Sequence, residues 1–171
     1  MEFIFETHYN AATMTVMARA LRKTVRKAHS RRSHLFGWVV VLLAVLLLLA
    51  DGFAPDLRTI VTAAAALAVV AALLLEDRIN GFAASRRLLR GTETAVTVFS
   101  ESGFVTTTEV GRTEWKYDKI LQIAETDGFF VLIFSASHAQ LYDKQHLQGG
   151  TPEEFRRFLE TATGQSVVRV A

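Results

Sequence analysis

Cysteine is absent from this chain of 171 residues. That absence excludes disulfides, thiolate metal sites and a thiol nucleophile, and it agrees with a domain that faces the cytosol. Phosphate-binding loops, dinucleotide fingerprints and the Gly-x-Ser-x-Gly nucleophile turn are missing as well. We therefore predict no cofactor and no metal site, and we expect a protein that is not an enzyme.

Charge is missing from two long stretches, Leu35–Ala50 and Thr59–Leu75, which are separated by the short segment Asp51–Arg58. Only a helix satisfies its own backbone groups in lipid, and roughly 17–25 apolar residues cross a bilayer. We predict a transmembrane hairpin over residues 34–76. A buried helix pair is disfavoured because so small a domain could hardly cover two apolar helices, and a signal peptide because no cleavage pattern follows Leu47–Ala50.

Acidic residues are missing from Thr7 to Ala50, whereas seven lysines and arginines occur there. Four arginines follow the second apolar stretch, and Arg58 alone lies between the two stretches. Because positive residues stay in the cytoplasm, both termini are predicted to be cytoplasmic in a multi-pass protein of the inner (plasma) membrane. The predicted lipid headgroup contacts are Arg19, Arg22, Lys23, Arg26, Lys27, Arg31 and Arg32.

The two halves of the chain differ in charge. Residues 1–91 carry 12 Lys and Arg against 6 Asp and Glu, a net +6, and residues 92–171 carry 7 against 11, a net −4. A basic membrane half indicates anionic lipid of the inner leaflet as a partner rather than nucleic acid. The acidic second half argues against a phosphate-binding surface there.

The N-terminal region combines a strand with a helix. Phe3 and Phe5 alternate with Glu2 and Glu6, which predicts that residues 1–9 form a strand and return to a sheet beyond the second span. Residues 10–33 form a basic amphipathic helix with Met14, Met17 and Leu21 on one face. That face could contact lipid or pack on the soluble domain, or the charges could serve only as topology signals. Alanines of the second span allow close helix packing, within the hairpin or in a homo-oligomer.

A β-rich domain is predicted over residues 92–171, after a linker helix at residues 77–91. Six or so short antiparallel strands precede a helix at residues 152–163, where Thr151, Pro152 and Glu154 give a capping box and a helix start. The order of elements predicts an α+β membrane protein with a small pleckstrin-homology-like domain closed by a C-terminal helix.

The order of the segments resembles the YcxB-like membrane proteins of bacteria. The motifs that carry the resemblance are Glu101-Ser102-Gly103, Trp115 with Asp118 and Ile120, and Glu153-Glu154-Phe155. Asp143-Lys144 stands where members usually have Pro-Lys. The resemblance implies a pleckstrin-homology-like fold for the C-terminal domain and implies no reaction.

Weak chemical candidates remain. Ser137, His138 and Asp143 have the residue types of a hydrolase triad, and His138 with His146 could ligate a metal, but neither set has useful spacing. Ser137-His138 is better explained as a hairpin turn. Trp115 is either a core aromatic or a residue at a binding rim.

Three functions compete. The first is a membrane-anchored, non-enzymatic binding module that takes up a protein segment, for example by strand addition, with Trp115, Lys116, Tyr117 and Lys144 as contact residues. The second is recognition of lipid headgroups by the β domain and the basic helix. The third is a Ser-His hydrolase.

Overall fold

The computed structural model describes residues 2–53 and 55–170. The predicted N-terminal strand includes Met1, the predicted gap between the spans includes Ala54, and the predicted C-terminal domain includes Ala171; these three positions lie outside the described residues. Helices in the described ranges are α1 Ala11–Lys23, α2 Lys27–Ala50, α3 Leu57–Leu74, α4 Glu76–Ser85 and α5 Pro152–Thr163. The strands are β1 Phe3–His8, β2 Thr94–Ser100, β3 Gly103–Thr108, β4 Gly111–Trp115, β5 Gln122–Glu125, β6 Phe129–Ile133, β7 Ala139–Asp143, β8 Leu147–Gln148 and β9 Val168–Arg169.

The strands form two sheets. One has the order β4-β3-β2-β1-β8, and the other has the order β7-β6-β5-β9. Neighbouring strands are antiparallel except for β5 and β9, which run parallel. The second sheet is therefore mixed, whereas the sequence predicted antiparallel pairing throughout.

The N-terminal strand returns to the C-terminal sheet. Strand β1 pairs with β2 over its whole length, with Phe3 opposite Phe99, and it pairs with β8 on its other side. Phe3 and Phe5 have no exposed surface. The predicted return of this strand is confirmed, and the reason is that its two phenylalanines belong to the core.

Aromatic side chains fill the space between the sheets and α5. Phe5 lies 4.6 Å from Phe155 and 5.8 Å from Phe99, centroid to centroid. Helix α5 has the range expected from the sequence, because Thr151 Oγ1 accepts from the Glu154 amide at 3.2 Å and the Glu154 carboxylate accepts from the Thr151 amide at 2.7 Å. Reciprocal bonds of this kind satisfy amides that the first turn leaves free.

The basic segment is not one helix. Helix α1 ends at Lys23, and α2 begins at Lys27 and continues without interruption to Ala50. Thr24 Oγ1 donates to the Ala20 carbonyl, a local bond that competes with helical geometry. The prediction of one helix over residues 10–33 is wrong, and the residues after Lys27 belong to the first apolar helix.

The apolar face of α1 packs on the β domain. Ala20 and Leu21 are buried against Val131, Ile133 and Leu141. Helix α1 also packs against α4, which ends at Ser85, well before the predicted end near Gly91. Of the alternatives left open for α1, packing on the soluble domain is the one observed.

Helices α2 and α3 are long and apolar enough to cross a membrane. Their apolar windows are 11% and 0% buried inside the fold, so they are not core helices of a soluble protein. The two helices pack on each other, with Gly37 against Leu73. Most of their apolar surface therefore faces outward.

Candidate functional site

A cleft of about 760 Å³ opens beside Trp115, and we refer to it as the Trp115 cleft. Pockets for small ligands or peptide side chains commonly measure roughly 300–1,000 Å³. The walls come from β4, the turn before β7, helix α1 and the segment after α4. Residues far apart in sequence thus meet beside β4 and β7, the edge strands of the two sheets.

Trp115 forms one wall of this cleft. Its ring stacks on Phe134 with centroids 4.6 Å apart, and His138 lies 5.5 Å away. The indole Nε1–H is buried and has no hydrogen-bond acceptor among residues 2–53 and 55–170. Buried donors without partners are rare in folded proteins, and each one calls for an explanation. Trp115 thus packs against the core and also lines the cleft.

Polar groups line the opposite wall. Thr106 Oγ1 lies 3.3 Å from Gln140 Oε1, which also accepts from the Tyr142 hydroxyl at 2.6 Å. The Tyr9 hydroxyl donates to the Leu141 carbonyl at 3.4 Å. Burial raises the pKa of Tyr9 to about 12, although this hydrogen bond lowers it. Tyr9 therefore stays protonated and neutral at physiological pH.

The charge of the cleft is positive. Arg87 and Arg112 line it, and its described lining contains no aspartate or glutamate. Arg112 Nη2 lies 3.3 Å from Glu114 Oε1, but both side chains are exposed, and such surface pairs contribute little. The cleft can therefore attract a carboxylate or a carbonyl oxygen.

Two of the predicted contact residues, Lys116 and Tyr117, directly follow Trp115 in the sequence. Lys116 is exposed and does not line the Trp115 cleft. Tyr117 is buried, and its hydroxyl donates to the Ser100 carbonyl at 2.6 Å. Burial raises the pKa of Tyr117 well above its ordinary value. Tyr117 is a core residue and not a surface contact, because its ring packs against Phe104.

Lys144 is also occupied inside the protein. Its Nζ donates to Glu125 at 2.7 Å and to the Thr126 carbonyl at 2.6 Å, and it lies 4.8 Å from the Phe130 ring centroid. Arg156 donates two further bonds to Glu125, each 2.6 Å long. Burial alone would raise the pKa of Glu125, but Arg156 and Lys144 outweigh it and hold that pKa below its ordinary value. Lys144 is thus part of a structural ion cluster and does not line the Trp115 cleft.

The candidate triad is not assembled. Ser137 and His138 both line the Trp115 cleft, but Asp143 accepts from the Gln145 amide and lies 3.2 Å from His146 Nδ1. In the described parts of the chain, no hydrogen bond joins Ser137, His138 and Asp143. Within those same parts, no cluster of three or more His, Asp or Glu residues could hold a metal.

The predicted lipid contacts fall into two groups. In the first group, Arg22 donates two hydrogen bonds of 2.6 Å to Asp77, and these bonds raise the pKa of the Arg22 guanidinium. Arg19 lies 3.6 Å from the same carboxylate. Arg26 donates to the Ala136 carbonyl. Arg19 and Arg22 thus join α1 to α4, and Arg26 joins the segment between α1 and α2 to the turn before β7. All three predicted lipid contacts have partners inside the protein. Lys23, Lys27, Arg31 and Arg32 form the second group and are exposed around the start of α2.

Several lining residues were not predicted. Tyr9, Arg87, Thr106 and Gln140 come from four separate segments, and the return of β1 brings Tyr9 to the cleft. No spacing in the sequence joins the four residues. The signal that could have found Tyr9 is the predicted return of β1, which places the residues after it beside the domain.

Two comparisons with known proteins bear on identity. A search of curated proteins finds no match. The model of the YcxB-like protein family matches residues 99–159, a segment that runs from β2 into α5 and contains Trp115. Over residues 99–159 the chain is therefore similar to the YcxB-like proteins, the family that the sequence motifs indicated.

Proposed function

We propose that this protein is a non-enzymatic binding module anchored in the inner membrane, with both termini in the cytoplasm. In this proposal α2 and α3 cross the membrane. The β domain holds an extended segment of a partner protein in the Trp115 cleft. The observation that carries the proposal is the open Trp115 cleft beside β4, the exposed edge strand of its sheet.

Exposed apolar surface supports the membrane anchor. Leu35, Phe36, Leu67 and Leu74 are each about two-thirds exposed or more, and similar residues cover both helices. A soluble monomer rarely exposes apolar patches larger than a few hundred Å². Lipid would cover this surface, and the backbone of both helices is already satisfied internally.

The path of the chain supports the orientation. Strand β1 precedes the hairpin and pairs with β2, which follows it, so the chain leaves the β domain and returns to it. This path agrees with an even number of spans. Lysine and arginine flank the hairpin on the side of the β domain, which supports a cytoplasmic location for that side.

A pleckstrin-homology-like fold is part of the proposal. Two small sheets are closed by α5, whose Phe155 and Leu159 are fully buried in the shared core. This arrangement agrees with the fold implied by the family. The parallel strand β9 and the N-terminal strand β1 are additions to the simple order of strands and helix.

An extended segment is the occupant that the cleft fits best. Strand β4 is the last strand of its sheet, and its residues are exposed before Trp115. An open edge of this kind accepts a further strand through backbone hydrogen bonds. The Trp115 ring would pack against a side chain of that segment, and Arg87 and Arg112 favour an acidic residue on it.

A photoreactive amino acid at Thr113 tests the proposal, because Thr113 lies on β4 and lines the cleft. We expect a crosslink in membranes to a defined segment of another protein, reduced about fivefold in Trp115→Ala, which removes the ring from the wall of the cleft. The same amino acid at Thr161, exposed on α5, is the matched control. Equal crosslinks from both positions, or crosslinks insensitive to Trp115→Ala, would contradict the proposal, and a crosslink to a second copy would replace the partner with a homo-oligomer.

A further inference from the structure

A second cavity, of about 610 Å³, lies where the end of α1, the start of α2 and strand β9 meet. We call it the basic cavity, since arginine and lysine dominate its walls: Arg22, Lys23, Lys27, Arg31 and Arg169. We propose that the basic cavity binds a phosphate group. The proposal concerns a different site from the Trp115 cleft and rests on the proposed membrane anchor only for the position of the ligand.

Unpaired charge is the first argument. Two carboxylates lie near the cavity, and both have partners: Asp77 is bound by Arg22 at 2.6 Å, and Glu76 by His34 at 2.6 Å. Lys27, Arg31 and Arg169 have no carboxylate within 4 Å in the part of the chain that the structure describes. Three cations that share one cavity repel each other, and an anion would relieve this repulsion.

The second argument is that separate elements deliver these cations. Lys27 and Arg31 stand one turn apart on the same face of α2, an arrangement that destabilises an isolated helix. No acidic residue lies in the first turn of α2 to offset them. Arg169 lies on β9, far along the chain from α2. Strand β9 is fixed by its pairing with β5 and by a 2.8 Å hydrogen bond from the Val170 amide to the Glu125 backbone carbonyl.

The third argument is position. His34 lines the basic cavity, and the next residue, Leu35, is 68% exposed and begins the apolar surface of α2. In a membrane-anchored chain the cavity would therefore lie at the depth of the lipid headgroups. Arginine binds phosphate oxygens through two parallel N–H bonds, so a lipid phosphodiester and free inorganic phosphate share the chemistry that this cavity recognises.

The test uses the full chain in detergent and measures its melting temperature. Phosphatidylglycerol is added in one arm with a diacylglycerol, which lacks a phosphate, as its control, and sodium phosphate in the other with sodium chloride at equal ionic strength. A ligand that binds only the folded state raises the melting temperature. We expect a rise of about 3 °C or more with phosphatidylglycerol, which the double variant Arg31→Gln/Arg169→Gln loses.

The matched control is Arg32→Gln/Arg157→Gln, which also removes one cation from α2 and one from the C-terminal domain but leaves the cavity lining intact. Each variant is compared with its own ligand-free melting curve, which separates binding from folding. A shift lost only in the cavity variant supports the proposal, with the effective arm identifying lipid or free phosphate as the source. Equal shifts in both variants, equal shifts with the diacylglycerol, or no shift in either arm would overturn it. The Thr113 crosslink does not depend on these residues, so the two proposals fail separately.

Discussion

At the scale of single residues, Glu125 shows how the domain keeps a charge in its interior. The residue is 5% exposed, and a carboxylate removed from water is stable only when partners replace the lost hydration. Arg156 and Lys144 supply those partners with three hydrogen bonds of 2.6–2.7 Å. The cluster thereby ties α5 and the end of β7 to β5.

Glu125→Gln leaves two partly buried cations without their counter-charge. We expect the free energy of unfolding at pH 7 to fall by about 3 kcal/mol, the usual effect of breaking a buried ion pair. Chemical denaturation of the detergent-solubilised chain measures the change. The control is Glu153→Gln, which removes an exposed carboxylate from the first turn of α5. A similar loss of stability in both variants would contradict the structural role of Glu125.

Glu125 also makes stability depend on pH. Because its folded pKa lies below the ordinary value of 4.5, its contribution is complete above about pH 4.5 and is lost as the pH falls through the folded value. The wild-type chain should therefore lose stability below pH 4.5 more steeply than Glu125→Gln. If the free energy of unfolding fell equally with decreasing pH in both proteins, a carboxyl group other than Glu125 would govern the loss of stability in acid.

At the scale of elements, the contact between α1 and α4 depends on a glycine. A Cβ at Gly81 would lie 2.6 Å from Thr15 Cα, so the two helix backbones approach more closely than a side chain permits. The ion pair of Arg22 with Asp77 joins the same two helices. Close packing and charge together hold the membrane-proximal helices on the β domain.

Gly81→Ala and Asn80→Ala test this contact with opposite signs. Alanine is the better helix former at both positions, so Asn80→Ala should be neutral or stabilise the chain by a few tenths of a kcal/mol. Gly81→Ala should destabilise it by about 1–3 kcal/mol, since the backbones must separate. Thermal or denaturant unfolding measures both variants. Stabilisation by Gly81→Ala would show that the helices are not in close contact.

Local signals explain which elements could be predicted. Helix α5 follows from Thr151 and Glu154 because a capping box is encoded within four residues. The break at Thr24 could not be predicted, because a threonine in a helical pattern does not by itself reveal a turn. The lining of the Trp115 cleft could not be predicted either, since Tyr9 and Arg87 reach it only through tertiary packing.

At the scale of the whole molecule, the apolar helix pair α2–α3 is an insertion within one folded unit. Strand β1 lies between β2 and β8, so residues before the hairpin supply an internal strand of the sheet. Phe3 and Phe5 supply part of the core that α5 covers. The C-terminal residues therefore cannot complete the domain alone, although the family match begins only at residue 99.

Two shortened chains test this dependence. Residues 92–171 alone should show no cooperative melting, because truncating a single core phenylalanine already costs about 3–5 kcal/mol. Residues 2–34 joined to 75–170 by a short flexible linker should fold in buffer without detergent, since His34 and Glu76 are in contact and the cut ends lie close together. Phe5→Ser in the joined chain is the control. Cooperative melting of residues 92–171 alone, by circular dichroism, would contradict the account.

The central claim is that α2 and α3 cross the membrane and leave the β domain in the cytoplasm. The chain has no cysteine, so single cysteines can be placed at Leu57, the exposed first residue of α3, and at Gly128, in the turn between β5 and β6. The most direct measurement is labelling of intact cells with a membrane-impermeant maleimide. We predict labelling at position 57 in intact cells and at position 128 only after permeabilisation; labelling of position 128 in intact cells, or release of the chain from membranes by alkaline carbonate, would contradict the claim.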